Sequence, residues 1–230
     1  MGRIIKKLIL IVILCLCIII SIFVGLGYLN HFRVTEETSI QDKIEEIKKQ
    51  PSYVVLDEIS DVLLNATIAI EDHRFYEHNG VELRSMARAL VQNIVAGEIV
   101  GGGSTITQQL AKNLYYTYDQ SYLRKFSEIF TAYALEKELS KDEILEVYVN
   151  IINYGDNYFG IKEAAEGYFN KEPKDLTLDE ATLLAGLPQS PSNYQLSDHH
   201  EAAKQRQQQV IEAMVDENMI TESELNSILK

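Results

Sequence analysis

The segment EDHRFYEHNG, from Glu71 to Gly80, concentrates acidic, basic, histidine and aromatic side chains directly after an apolar stretch with helical periodicity. A carboxylate at the edge of an apolar environment is partly removed from water, which raises its pKa and makes it a usable general base. Clusters of this kind also cap helices or pin loops, and the segment alone leaves that alternative open.

A second segment joins a glycine-rich loop, Gly97 to Gly103, to a predicted helix start. Thr105 and Gln108 have the spacing of a capping box, so the helix begins there and its free N–H groups face the loop. Such a helix end attracts anions, and the hydroxyls of Ser104 and Thr105 lie beside it. The lysine of a Walker A loop is missing. Gln108 and Lys112 share one helical face, and a capped surface helix is the alternative interpretation.

The third cluster consists of Arg124, Lys125 and Glu128, whose spacings of four and three residues place both cations beside the carboxylate on one helical face. An exposed ion pair is the alternative, and it would contribute only about 0.3 to 0.5 kcal/mol. Two adjacent cations in an acidic chain nevertheless suit a diphosphate, and Glu128 could hold a divalent cation beside it.

Charge is unevenly distributed along the 230 residues, whose net charge is −13. That balance argues against nucleic acid as a partner, because phosphates are neutralised by Lys and Arg. The run from Leu8 to Tyr28 is free of charge and would span about 31 Å as a helix, close to the thickness of a bilayer. Arg3, Lys6 and Lys7 precede it, so the positive-inside rule places the N-terminus in the cytoplasm and the body outside. A cleaved signal peptide is the alternative, although its apolar region is usually shorter.

Helical signals dominate the rest of the chain. Ile40, Ile44 and Ile47 recur among charges at near-helical spacing, which predicts an amphipathic stalk or, equally, a solvated linker. Further helix starts are predicted at Ser60 and at the capping-box pairs Ser140 with Glu143, Thr177 with Glu180 and Thr221 with Glu224. No run with the two-residue period of a strand competes with them, so the sequence predicts a mainly α-helical protein.

Together these segments resemble the peptidoglycan glycosyltransferases, the polymerising domain of bifunctional penicillin-binding proteins and of stand-alone membrane-anchored enzymes of the bacterial cell wall. The resemblance extends through GGGSTITQQLAKNL (Gly101 to Leu114), LRKFSEIF (Leu123 to Phe130), LEKELSKDEILEVYVNIINYG (Leu135 to Gly155), GIKEAAEGYFNK (Gly160 to Lys171) and EATLLAGLPQSPSNY (Glu180 to Tyr194). It implies a lysozyme-like, mainly α-helical domain over residues 51–230 with a smaller membrane-facing lobe. A cytoplasmic tail (1–7), a transmembrane helix (8–28) and a stalk (29–50) would precede that domain.

The resemblance also implies a role for each motif. Glu71 would be the general base on the 4-hydroxyl of the acceptor sugar of lipid II, and Glu128 would lie near the donor diphosphate and its divalent metal ion, Mg²⁺ or Mn²⁺. The residues implied to bind the diphosphate are Lys112, Arg124 and Lys125, and those implied to line the cleft are Ser104, Thr105, Gln108 and Gln109. Undecaprenyl diphosphate would leave with inversion at the anomeric carbon. The implied partners are lipid II, the growing glycan strand, the membrane and other cell-wall synthesis proteins.

Two positions depart from the usual pattern of these enzymes, namely His73 and Arg206, the latter a single arginine where related chains carry two. The rival interpretations are a lysozyme-like enzyme that cleaves glycan and a catalytically inactive cell-wall scaffold, and the diphosphate cluster disfavours the first. The histidines have no zinc-binding spacing. Only Ser227 to Lys230 spells a penicillin-binding SxxK motif, so we expect no transpeptidase activity.

Overall fold

The computed structural model of the chain describes residues 2–97, 102–116, 121–221 and 224. Within those ranges the protein is mainly α-helical, which confirms the predicted fold class, and the one β-pairing is an isolated bridge between Asn153 and Phe159. The helices are α1 Gly2–Glu37, α2 Ile40–Lys48, α3 Asp61–Asp72, α4 Leu83–Ala96, α5 Ile106–Tyr115, α6 Tyr122–Glu138, α7 Lys141–Ile151, α8 Ile161–Phe169, α9 Leu178–Gly186, α10 Pro191–Tyr194 and α11 His200–Asp216.

The core of the body forms around α5, which packs against α3, α6 and α7. Ile106 and Leu110 of α5 are fully buried, as are Ile144 and Tyr148 of α7. A second cluster joins α3, α9 and α11 through small residues of α3 and α9 and larger ones of α11, namely Ala66, Ala69, Ala185, Val210 and Met214. The small side chains let these helices approach closely, so the end of α3 is held between α5 and α11.

Three predicted capping boxes are present with both of their reciprocal hydrogen bonds, at the starts of α5, α7 and α9. The hydrogen bonds of the fourth pair, Thr221 and Glu224, are also formed, while the helix predicted after them lies outside the described residues. Ser60 precedes α3 as expected but makes no side-chain cap. Local sequence therefore determines where most of these helices begin.

The N-terminal apolar helix α1 is longer than the charge-free run and continues to Glu37. By length and composition it is suited to cross a membrane, which is compatible with a membrane anchor. Its second half packs along α6, where Phe23 stacks on Phe126 at 5.9 Å between ring centroids and Asn30 donates to Ser127 at 3.0 Å. Gly27 faces the backbone of Phe126, where a Cβ atom would collide, so a side chain there would separate the two helices.

Helix α2 has the predicted amphipathic pattern and a Ser39 cap. Its isoleucines, Ile40, Ile44 and Ile47, are buried in the main core rather than facing solvent. From Ile40 onward the segment expected as a stalk or linker is thus packed on the body, because three isoleucines on one face gain more by burial than by exposure.

Candidate active site

A polar cleft of about 430 Å³ lies where the end of α3, α5, the first turns of α6 and α11 meet. Its wall contains two carboxylates, Glu71 and Glu128, and four cations, Lys112, Arg124, Lys125 and Arg206. A second cavity of about 280 Å³ adjoins it and shares Ile70, Glu71, Gly102 and Ser104 with the first. The carboxylate of Glu71 therefore stands between two spaces large enough for parts of a ligand.

Glu71 occupies the last turn of α3, a helix that is anchored in the core by Leu63 and Ile68. The next residue, Asp72, accepts hydrogen bonds from His78 at 2.9 Å and from the backbone N–H of Ile106 at 3.0 Å. Asp72 and His78 thus join the first motif to the start of α5. The alternative interpretation of the segment, that it pins a loop, therefore applies to Asp72 and His78. Glu71 is directed into the cleft.

The carboxylate of Glu71 is held by few contacts. Its Oε2 accepts from Nε2 of Gln109 at 2.6 Å, while Oε1 lies 3.8 Å from Nη2 of Arg206 and accepts no hydrogen bond from the described residues. The side chain is 10 % exposed. Burial raises the pKa of Glu71 above its ordinary value, and Asp72 adds to that effect, while Gln109, Arg206 and Lys112 oppose it. A buried carboxylate with a raised pKa and one unengaged oxygen is a suitable proton acceptor.

The polar residues at the start of α5 divide between the cleft and the interior. Gln109 lines the cleft, and Ser104 accepts a hydrogen bond there from Lys125 at 2.6 Å. Thr105 borders the adjoining cavity, and its hydroxyl donates to the carbonyl of Gly80 at 2.7 Å. Gln108 is fully buried and completes the capping box. The structure therefore places Gln108 behind the cleft wall, where it fixes the helix start.

The cations of α6 surround the second carboxylate. Glu128 is 1 % exposed, with Nζ of Lys125 2.8 Å from Oε2 and Nη1 of Arg124 3.3 Å from Oε1. This burial rules out the exposed ion pair that the sequence left open as an alternative. Lys112 faces the same cleft from α5, and burial lowers its pKa. Three cations converge on one wall, a suitable arrangement for a ligand with two phosphate groups.

The described residues offer few possible ligands for a metal ion. They contain no cluster of three or more His, Cys, Asp or Glu side chains that could enclose an ion. Oε1 of Glu128 is buried, lies 3.3 Å from Nη1 of Arg124 and accepts no hydrogen bond from the described residues, so it is the oxygen of this carboxylate that a metal ion could engage. Mg²⁺ is commonly bound by one or two carboxylates together with substrate phosphates. The residues therefore fit a metal ion that is shared with a bound diphosphate.

Several features of the cleft have no short-range signal in the sequence. Arg206 reaches Glu71 from α11, and Pro188 and Gln189 add to the wall from the turn after α9. Tyr148 of α7 donates to Gln109 at 3.1 Å behind the carboxylate. These partners are brought together by helix packing. Arg206 was singled out in the sequence as a departure from the family pattern, but no local spacing indicated that it contacts Glu71.

Comparison with known proteins supplies an independent description. Residues 37–215 match the Transglycosylase family. Penicillin-binding protein 1A of Neisseria gonorrhoeae is 43 % identical over 202 residues, which cover 86 % of this chain and 25 % of that protein. Penicillin-binding protein 1F of Bacillus subtilis is 38 % identical over 214 residues, 88 % of this chain and 30 % of that one.

Among solved structures, that of penicillin-binding protein 1A from Haemophilus influenzae aligns with 77 % of this chain and 17 % of its own, with a TM-score of 0.47 and 24 % identity. The chain spans about a quarter of the length of the curated relatives it matches.

Proposed function

The chain belongs to the transglycosylase family, and on that premise we propose that it is a membrane-anchored peptidoglycan glycosyltransferase that polymerises lipid II into glycan strands. The observation that carries the proposal is the pairing of a buried carboxylate, Glu71, with a cationic wall in one cleft. Polymerisation needs both a base for a sugar hydroxyl and a site for a diphosphate leaving group.

In the proposed reaction the carboxylate of Glu71 accepts the proton of the acceptor 4-hydroxyl as the hydroxyl oxygen attacks the anomeric carbon of the donor. The bond from that carbon to the diphosphate breaks on the opposite face, its electron pair leaves with undecaprenyl diphosphate, and the configuration inverts. A positioned base of this kind contributes about 10² to 10⁴-fold to the rate.

The leaving group gains negative charge as the bond breaks. Lys112, Arg124 and Lys125 would stabilise that charge, because fixed cations in a cleft with little water are already oriented when the charge develops. Glu128 would keep the two cations of α6 in place and would hold Mg²⁺ or Mn²⁺ together with the diphosphate. Such a metal ion would supply further neutralisation of the leaving group.

A rival function is cleavage of existing glycan by a carboxylic acid, as in lysozyme. The raised pKa of Glu71 would also suit an acid. However, a glycan strand carries no diphosphate in its interior, so three cations on one wall would have no counterpart in the substrate. The cationic wall therefore favours the polymerase.

The direct test is to incubate the purified full chain with labelled lipid II and, separately, with preformed labelled glycan. We expect polymer and undecaprenyl diphosphate from the first reaction and intact glycan from the second. Shortened glycan in the second reaction would identify a hydrolase. An absence of polymer from protein that binds lipid II would indicate a non-catalytic scaffold and overturn the proposal.

We also propose that α1 spans the cell membrane with its N-terminus in the cytoplasm, because Arg3, Lys6 and Lys7 stand before the apolar run. The active cleft would then face the outer side, where α1 holds α6 close to the bilayer. External protease should digest the body in spheroplasts and leave it intact in inverted vesicles. The opposite pattern would reverse the orientation.

A further inference from the structure

Behind the carboxylate of Glu71, a chain of two hydrogen bonds leads into the core. Tyr148, which is fully buried on α7, donates its hydroxyl to Oε1 of Gln109 at 3.1 Å. Nε2 of the same amide donates to Oε2 of Glu71 at 2.6 Å. A carboxylate only accepts hydrogen bonds, so the amide must present its nitrogen to Glu71 and its oxygen to Tyr148.

We propose that Tyr148 is a positioning residue which, through Gln109, holds Oε2 of Glu71 and so keeps the carboxylate charged and oriented to take the substrate proton. The inference rests on the proposed function for the identity of that proton. Burial holds the pKa of Tyr148 well above its usual range, so its hydroxyl remains a donor at working pH. Oε1 of Glu71 is itself buried and accepts no hydrogen bond from the described residues, so the hydrogen bond of the carboxylate is the one that Gln109 donates to Oε2.

Without the phenol hydroxyl, the orientation of the Gln109 amide would depend on the protonation state of Glu71 alone. The amide torsion has two comparable orientations, and in the turned one an amide oxygen would face a carboxylate oxygen. That contact becomes favourable only when Glu71 is protonated. Loss of the hydroxyl should therefore raise the pKa of Glu71 and reduce the fraction of enzyme in which Glu71 is deprotonated and can act as the base.

Other charged groups around Glu71 come from three helices and do not depend on Tyr148. Arg206 approaches from α11 and Lys112 from α5, while Asp72 follows Glu71 on α3. A Tyr148→Phe change leaves these groups in place and removes one hydroxyl. The shift that it causes can thus be assigned to the amide and not to a change in the surrounding charge.

The chain offers a matched control. Tyr154 is also fully buried, and its hydroxyl has no hydrogen-bond partner among the described residues. Tyr154→Phe therefore removes the same atom from the same core without removing a hydrogen bond. We propose to titrate Glu71 in both variants of the full chain by its ¹³C carboxyl resonance, assigned with Glu71→Gln, and to record the pH profile of polymerisation.

We expect Tyr148→Phe to raise the midpoint of the Glu71 titration and of the acid limb of kcat by about one unit, a tenfold loss of turnover on the acid side. KM should hardly change, and Tyr154→Phe should behave as wild type. In a Gln109→Leu background the Tyr148→Phe change should have no further effect, because the connecting amide is gone. Replacing Tyr148 by 3-fluorotyrosine keeps a hydroxyl that donates more strongly and should move the midpoint down.

An unchanged Glu71 titration in both Tyr148 variants would overturn the inference, even if lipid II is polymerised. If instead the midpoint shifts as expected but wild type forms no polymer at any pH, the positioning role stands and the proposed function fails. A similar shift in Tyr148→Phe and Tyr154→Phe would show a general effect on the core and would also overturn the inference.

Discussion

The two carboxylates of the cleft are the same residue type in different surroundings. Each has one buried oxygen that accepts no hydrogen bond from the described residues. Glu71 otherwise has one amide donor and a guanidinium at 3.8 Å. Glu128 is flanked by Lys125 at 2.8 Å and Arg124 at 3.3 Å. Burial thus raises the pKa of the first, whereas the second is neutralised by two partners. A buried acid is suited to proton transfer only where the protein leaves its charge poorly compensated.

Backbone position strengthens the contrast. Glu71 lies in the final turn of α3, where the partial negative charge of the helix end further disfavours a carboxylate. Glu128 lies inside α6, one turn after both cations, so its partners come from its own helix. The surroundings of Glu71 therefore come from other helices, whereas the ion-pair partners of Glu128 come from its own helix.

The largest effect should come from Glu71→Gln, which keeps the shape of the side chain but cannot accept a proton. We expect turnover of lipid II to fall by about 10² to 10⁴-fold, equivalent to a barrier higher by about 3 to 5.5 kcal/mol. The affinity for a diphosphate-containing inhibitor should stay near that of wild type. The control is Glu77→Gln, because Glu77 lies in the same motif but is exposed. Normal turnover in a folded Glu71→Gln protein would show that Glu71 is not the base.

Glu128→Gln should have a smaller effect, about 10 to 100-fold on turnover, since it removes charge-assisted contacts that contribute about 1.5 to 3 kcal/mol. The dependence on Mg²⁺ or Mn²⁺ should also change, because an amide is a weaker ligand. A metal titration of the polymerisation rate measures both. Glu138→Gln on the exposed part of α6 is the control, and a wild-type metal response in Glu128→Gln would leave that residue with a structural role alone.

Lys112→Ala should affect binding of the donor more than the chemical step, with about a tenfold loss in inhibitor affinity, as expected for one charged contact. Lys112 is half-buried and faces the cleft, whereas Arg124 and Lys125 are paired with Glu128 and Arg206 lies beside Glu71. Lys112 is therefore the cation of the cleft most available to a ligand. Calorimetric titration with a diphosphate-containing inhibitor measures this loss, and exposed Lys137→Ala is the control. A loss confined to turnover at unchanged affinity would place Lys112 with the base.

Much of the fold followed from local signals. The capping boxes at Thr105, Ser140 and Thr177 are formed as predicted because both partners lie within four residues. The three isoleucines of α2 were predicted to share one helical face, but the surface that covers them could not be inferred. Hydropathy located the apolar part of α1, yet the helix continues because Asn30 and its neighbours find partners on α6.

The site was predictable to the extent that it is local. Arg124, Lys125 and Glu128 share one helical face, and their grouping was predicted from spacing. The surroundings of Glu71 depend on Gln109, Tyr148 and Arg206, which come from three other helices. No sequence spacing encodes those contacts, because they arise from the packing of α3 against α5 and α11. Sequence could therefore identify Glu71 as a candidate base but could not show which residues surround its carboxylate.

The smallest expected effect is on stability, and substitutions of the two carboxylates should change the Tm in opposite directions. The folded-state pKa of Glu71 is raised above its ordinary value near 4.5, so the folded chain binds a proton more readily than the unfolded chain. Stability therefore falls as pH rises from the unfolded pKa through the folded one, and above that window the charged carboxylate lowers the stability of wild type.

Glu71→Gln removes this cost, so its Tm should exceed that of wild type at pH 7, by a few degrees at most, and the difference should disappear below about pH 4. Glu128→Gln should instead lower the Tm at pH 7, because two cations lose their buried partner. Calorimetric scans of wild type and both variants across pH 4 to 8 measure the two effects under identical conditions. If both variants changed Tm in the same direction at pH 7, the surroundings of the two carboxylates would not differ in the way that their contacts indicate.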